Sequence, residues 1–475
     1  MSRKIYETLI PAPASVTPLS GVLLLQDIKG VYCDEAFRCL QDEFAALGAY
    51  FELDFSRAAE ADAVIVCKMA DMKNAGAWSI RIENGKIVLT AGEMTGIRYA
   101  FSALTQMLFT AGIQGLKEDA LDCVLIQDEP RFTWRSFMLD SARHFQKIDV
   151  IKQVLNICAA LRLNTFHWHL VDNQGWRLPL ASTANLTATG SYSDGQYTCA
   201  ELEDVVAYAK RLGITIVPEV DIPGHSNMLI TNYPQLACDP ADPGSELCIG
   251  NPETMEFMKK VFRELMDIFT DSPYIHIGGD EAETEHWEKC EKCRAAMEKR
   301  GLKSMRELEN AFMVDMSRFI VENGRTPMIW GTCSGQVYPA DTIIQVWLDI
   351  REPLRVAPNG NKTVYSVHTS LYFDYPANLS EPWETWMFEL KESGVYMTDP
   401  YIIWPEKVKD SVLGTEACLW TETVPQRRVI QKVLPRIFAY SECAWSAVGR
   451  KDYHDFVARK ELLEAAGYMQ YLQQL

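Results

Sequence analysis

Tyr274-Ile275-His276-Ile277-Gly278-Gly279-Asp280-Glu281 is an apolar, strand-like run that enters two glycines and then presents two adjacent carboxylates. Glycines let the backbone turn sharply and let a ligand approach it closely. Two acids held in different environments separate into one that stays ionised and one that donates a proton, which is how carboxyl pairs perform acid–base chemistry. An acidic helix N-terminus, favoured by the helix dipole, gives the same string of residues. The elements that hold the pair must therefore decide between the two readings.

From about residue 132 the chain repeats a short apolar strand, a polar or glycine-rich strand end and an amphipathic helix, the signature of βα units in a parallel barrel. Eight strand ends recur, at Phe137–Asp140, Thr165–Asp172, Ile214–His225, Tyr274–Glu281, Pro327–Trp330, Ile343–Trp347, Val364–Asp374 and Val412–Glu422. The count predicts an α/β fold with a (β/α)8 TIM-type barrel as the catalytic domain over residues 131–475, its strand ends converging on one pocket. Residues 1–130 predict a small accessory α+β domain. Its strand-like runs are Ala63–Cys67 and Ile80–Glu83, with the hairpin signal Asn84-Gly85 before Lys86–Leu89, a helix over Met94–Phe109 and a linker at Asp128–Arg131.

The predicted strand ends gather carboxylates (Asp172, Asp280, Glu281, Asp374, Glu422), indoles (Trp330, Trp347, Trp420), Arg143, His225 and Tyr372. A sugar pocket needs this mixture, because a pyranose packs its C–H faces on aromatic rings and offers a rim of hydroxyls to charged groups. Tyr372 with Asp374, and Trp420 with Glu422, are two residues apart and so share a strand face.

Composition narrows the partners. A net charge of −18, without a dense Lys/Arg run, argues against nucleic acid, which needs basic patches to neutralise phosphates. No stretch of about 18 apolar residues is long enough to span a bilayer, and Met1–Tyr6 lacks an apolar signal core, so a cytoplasmic chain is expected. In that compartment the sequons at Asn185, Asn361 and Asn378 carry no meaning. The 13 cysteines are then expected as reduced, mostly buried thiols. Cys290-Glu-Lys-Cys293 has zinc-ribbon spacing but lacks a second Cys-x-x-Cys or paired histidines nearby, so no metal ligand and no cofactor is assigned. Cys238 and Cys248 flank a Pro/Gly/Asp loop across which they could meet.

Trp134–Phe145 and Asn164–Arg177 resemble glycoside hydrolase family 20, the β-N-acetylhexosaminidases. Pro218–His225, His276–Glu281 and Ala417–Glu422 match the same family in the same order, and the front region, from Ile10-Pro11-Ala12-Pro13 to the helix holding Gly96, Tyr99 and Ala100, resembles its accessory domain. The resemblance implies a retaining exo-enzyme acting on terminal β-linked GlcNAc or GalNAc, with the substrate's own 2-acetamido oxygen as nucleophile. It implies Glu281 as general acid and base, Asp280 as the group that orients the acetamido N–H, and Tyr372 as donor to the acetamido oxygen. Trp330, Trp347 and Trp420 would wall the acetamido methyl, Arg143 and Glu422 would bind the 3- and 4-hydroxyls, Asp374 would act further round the ring, and Trp386 would line the mouth. Asp172 and His225 match a buried polar pair that supports the acid, and His276 belongs with them. A homodimer is compatible with this reading.

Two departures stand out: Ser136 replaces a frequent glycine, and the segment from Leu178 to Gln196 is short and lacks the family's charged landmarks. The second leaves a disaccharide-releasing enzyme as an alternative. A metal-dependent hydrolase using His167, His169, His225 and His276 is disfavoured, because in a regular strand Asp172 points away from His167 and His169. A sugar-binding protein without chemistry would not need the Asp280-Glu281 pair.

Overall fold

Alternation builds the first sheet. In Trp78–Glu83 the side chains of Trp78, Ile80 and Ile82 are buried, and in Lys86–Ala91 those of Ile87, Leu89 and Ala91, so both strands turn one face to a core. Asn84 and Gly85 between them have φ of 54° and 73°, the left-handed pair that a tight hairpin turn requires. The full sheet has six strands, in the order Ser15–Leu24, Ala120–Asp128, Trp78–Glu83, Lys86–Ala91, Ile65–Met69, Val31–Cys33. The helix Met94–Ala111 packs on it, and Gly96 lets that helix close on the sheet edge, since a Cβ there would lie 2.6 Å from the Ala77 carbonyl oxygen. This computed structural model describes residues 4–111, 119–188, 195–331, 337–401 and 404–474.

Eight parallel strands then close a barrel: Trp134–Asp140, Thr165–His169, Thr215–Ile222, Tyr274–Gly278, Thr326–Trp330, Ile343–Val346, Thr363–Tyr365 and Val412–Leu419. Closure runs from Gly414↔Trp134 to Leu419↔Leu139. The TIM-type barrel behind a smaller α+β domain is the predicted architecture. At its lower end the interior is apolar, filled by Trp134, Val217, Met328, Ile343 and Val364. One layer up, His167, Glu219, His276, Gln345 and Glu416 fill it instead, all fully buried.

Two strand ends differ from expectation. The seventh strand stops at Tyr365, and the chain passes through the short helix His368–Leu371 before Tyr372 returns to pair with Cys418 of the eighth. The second strand stops at His169, and Val171–Asp172 forms a separate small hairpin with Gly175–Trp176.

The two domains share buried charge. Arg162 is fully buried; its guanidinium meets Asp128 at 2.9 Å and stacks over Trp78 and Trp445, while Trp445 Nε1 donates to Asp128 at 2.9 Å. Burial pushes the Asp128 carboxyl up to about 6 in spite of the arginine. The segment Leu9–Pro13 is stitched to the other end of the chain. Arg459 donates to Leu9 O, Ala12 N donates to Glu442, Ser446 to Ala12 O and Arg450 to Pro13 O.

Candidate active site

The turn after the fourth strand delivers the acid pair. Gly278, Gly279 and Glu281 have φ of 69°, 106° and 50°, so the backbone coils left-handed and swings the carboxylates over the barrel mouth. Gly278 is sterically required, because a Cβ there would sit 1.6 Å from Asp221 Oδ1. The result separates the pair: the Asp280 side chain is 11% exposed and that of Glu281 59%. Burial raises Asp280 to about 6, against the pull of the His225 charge.

A cavity of about 310 Å³ opens at this end. Of the residues singled out in the sequence, Arg143, His225, Asp280, Glu281, Trp347, Tyr372, Asp374, Trp386, Trp420 and Glu422 line it. Asp172 and Trp330 do not. Trp330 ends the fifth strand pointing into the barrel, fully buried, where its Nε1 donates to Glu219 at 2.7 Å and its ring lies 5.6 Å beneath Trp420. Asp172 is turned inward by the hairpin and accepts from Arg143 at 2.8 Å, with His169 at 3.0 Å and His225 at 3.2 Å. The expected separation of Asp172 from His169 fails, because the strand breaks at Leu170 and the alternation does not continue.

Electrostatics sorts the wall into fixed charges and protonated donors. Burial would raise Asp172, but Arg143 and two histidines hold it well below the ordinary carboxylate range. Burial would lower His225, but Asp221, Asp172 and Asp280 lift it to about 10, so it carries a positive charge 3.7 Å from Glu281 Oε2 and 4.0 Å from Asp280 Oδ2. Burial keeps the Tyr372 hydroxyl protonated and so a donor. Burial and Glu422 push Asp374 well up, and burial raises Glu422 against Arg143. Asp280 Oδ1, Asp374 Oδ1 and Trp347 Nε1 are buried without a hydrogen-bond partner among the described residues, polar atoms of the kind a bound ligand satisfies.

Beneath the cavity lies a network of which sequence reasoning assigned His276 but not Glu219 or Glu416. Glu219 accepts from His169, lies 3.1 Å from His167 Nε2 and 3.0 Å from His276 Nδ1, and takes the Trp330 indole. His167 also reaches Glu416 at 2.8 Å, and the two carboxylates lift it to about 9 although burial alone would lower it. Both ring nitrogens of His169 and Nδ1 of His167 hydrogen-bond to carboxylates, which fixes the orientation of the two rings. Asp140 accepts from Ala142 N, Arg143 N, Thr421 N and Thr421 Oγ1, fixing Arg143 to the closing strand. Glu219 and Asp221, two residues apart in a strand beside a His-x-His strand, were the available signal. His368 and Tyr375, which also line the cavity, gave none.

The cysteines gather beyond the pair that the loop suggested. Cys238 and Cys248 meet, as the loop suggested, but they meet Cys290 and Cys293 as well, all four sulfurs lying within 4.8 Å of one another.

Comparison with known proteins places the geometry in a family. The catalytic-domain model of glycosyl hydrolase family 20 matches residues 132–448, and the model of that family's domain 2 matches residues 6–129. The chain belongs to glycosyl hydrolase family 20. It is 31% identical over 392 residues to a β-hexosaminidase of Akkermansia muciniphila, covering 78% of this chain and 79% of that protein. The family-20 exo-β-N-acetylglucosaminidase of Vibrio harveyi, solved with N-acetylglucosamine, superposes with a TM-score of 0.89 at 26% identity, covering 100% of this chain and 79% of the other. The β-N-acetylhexosaminidase of Bacteroides fragilis gives 0.85 at 28%, covering 97% and 96%. This family-20 chain is a glycoside hydrolase of the β-hexosaminidase type.

Proposed function

We propose that the enzyme is a retaining exo-β-N-acetylhexosaminidase that removes single terminal β-linked N-acetylhexosamines by substrate-assisted catalysis. Glu281 protonates the leaving glycosidic oxygen as the acetamido oxygen attacks the anomeric carbon, then deprotonates the water that opens the oxazolinium ion. Asp280, beside it but buried, accepts the acetamido N–H and stabilises the positive charge that develops on the ring. The Tyr372 hydroxyl donates to the acetamido oxygen, and Trp347 and Trp420, backed by Trp330, enclose its methyl group, which holds the nucleophile in place. Arg143, Asp374 and Glu422 take the sugar hydroxyls, while the charged His225 positions both acids. The substrate is a glycan or oligosaccharide carrying a terminal amino sugar.

The observation that carries this reading is the division of the Asp280–Glu281 pair, one buried with an unpartnered oxygen in the cavity and one exposed at its mouth. A cavity of about 310 Å³ is at the small end of ligand sites, which run from roughly 300 to 1,000 Å³, and favours one sugar over a disaccharide.

The test is turnover of p-nitrophenyl β-GlcNAc, β-GalNAc, β-glucoside and β-lacto-N-bioside. Cleavage of the N-acetyl monosaccharides with no action on the glucoside, and strong inhibition by a thiazoline mimic of the cyclised intermediate, are expected. Glucoside cleavage or indifference to the thiazoline would refute acetamido assistance. Preference for the disaccharide would refute release of single sugars.

A further inference from the structure

We propose that Cys238, Cys248, Cys290 and Cys293 form a tetrathiolate site for one zinc ion, which clamps the loop after the third barrel strand to the helices after the fourth. This stands apart from the reading of the catalytic mechanism. The sulfurs of Cys238 and Cys293 are 3.7 Å apart, those of Cys248 and Cys290 3.7 Å, and those of Cys248 and Cys293 3.8 Å. A tetrahedron of thiolates at the zinc–sulfur distance of about 2.3 Å has edges of about 3.8 Å. Three of the six edges have this length and all four sulfurs lie within 4.8 Å of one another, so four thiols from two separate segments converge on one point, whereas a pair of disulfides would draw them into two couples at about 2.05 Å each.

The backbone is shaped for the same purpose. Cys290 and Cys293 bracket the start of the helix Glu291–Lys299, and Cys238 and Cys248 arrive on the loop opposite. Gly250 lets the two segments touch, since a Cβ there would fall 2.4 Å from Cys293 Cα, and its backbone N–H hydrogen-bonds to Cys293. Cys248 and Cys293 are fully buried, Cys290 nearly so and Cys238 partly, and four protein sulfurs complete a tetrahedral shell, the mark of a structural rather than a catalytic zinc. On binding, each thiol releases a proton to solvent and the four thiolates share the divalent charge.

The clamp sits behind the catalytic turn. Between its two loop cysteines, Leu247 N donates to Pro223 O at 2.8 Å and Trp287 Nε1 donates to Leu247 O at 2.9 Å. Ser226 N donates to Ser245 O at 2.9 Å, and Glu283 N to Glu246 at 3.4 Å. One bracket therefore supports the turn carrying His225 and the turn carrying Asp280 and Glu281.

The experiment begins with elemental analysis of the full chain purified with zinc present and without chelator. One zinc per chain is expected, released as p-hydroxymercuribenzoate modifies the four site thiols. Exchange with Co(II) is expected to give the thiolate-to-cobalt charge-transfer bands of a tetrahedral site. Cys248→Ser and Cys293→Ser are each expected to lose the metal; should they fail to fold, the wild-type cobalt spectrum alone decides. Protein without stoichiometric metal overturns the proposal, whether its intact mass shows four free thiols or is lower by the four hydrogens of two disulfides. Zinc retained in both serine variants, or a cobalt spectrum lacking thiolate bands, overturns it equally.

Discussion

Asp280 shows what a buried carboxylate costs. Its folded value of about 6 lies above the 3.8 of an unfolded chain, so the native state holds the proton more tightly. Stability from this group is therefore complete below pH 3.8, declines as pH rises between the two values, and is absent above about 6, a difference on the order of 2–3 kcal/mol. Asp280→Asn is expected to raise the melting temperature at pH 7.5, with the gain vanishing near pH 4, while turnover of N-acetyl substrates collapses. A gain over the wild type no larger at pH 7.5 than at pH 4 would contradict the cost of the buried charge. In the wild type, kcat/KM is expected to fall about tenfold per pH unit below about 6, as Asp280 takes up its proton. Glu281→Gln removes the proposed proton donor, and a loss of roughly 10²–10⁴ in kcat is expected on a glycoside with a poor leaving group, with KM little changed. Near-normal turnover would remove Glu281 from its role.

At the level of elements, the turn after the fourth strand depends on a missing side chain. Gly278→Ala places a methyl group 1.6 Å from Asp221 Oδ1, and misplacing the acid pair by about 1 Å is expected to cost on the order of 10²-fold in kcat. Gly301→Ala is the control: its φ of 67° carries the same left-handed strain, about 1–2 kcal/mol, but nothing lies within 4 Å of the new methyl, so activity should persist. Equal losses of activity in both would show that strain rather than the clash is responsible. The eight strands are legible in the sequence because each alternates an apolar run with a polar end, and the mouth residues are legible because those ends must face one way. The polar layer under them is not legible in the same manner. Inside a barrel Glu219 and His167 occupy the same period-two positions as Val217 and Met328, so periodicity gives their direction and not their partners. Trp330 reads as a wall residue for the same reason, and one level of depth places it beneath the wall. The cysteine cluster escapes a linear reading because Cys248 and Cys290 are separated by 42 positions and only the adjacent strand ends bring them together.

For the molecule as a whole, the accessory domain is joined to the barrel through charge removed from water. Arg162→Met leaves Asp128 without its cation, and a loss of about 3–5 kcal/mol is expected from breaking a buried pair. The penalty has a sign in pH: the stranded carboxyl is tolerated once protonated, so the drop in melting temperature should be larger at pH 8 than at pH 5. A drop independent of pH would assign the loss to packing against Trp78 and Trp445 instead. KM should not move, because none of Asp128, Arg162, Trp78 and Trp445 lines the cavity.

The stitching of Leu9–Pro13 to Glu442, Ser446, Arg450 and Arg459 has a consequence for biosynthesis. Ala12 leaves the ribosome 430 residues ahead of Glu442, which at 5–20 residues per second is roughly 20–90 seconds. During that interval the leading segment has its sheet and its Gln106 anchor, but not the helices that fix it from the other side. The accessory domain is thus an early-made part that is completed last, and a nascent chain arrested before residue 442 should display its first residues to protease, whereas the released enzyme should not.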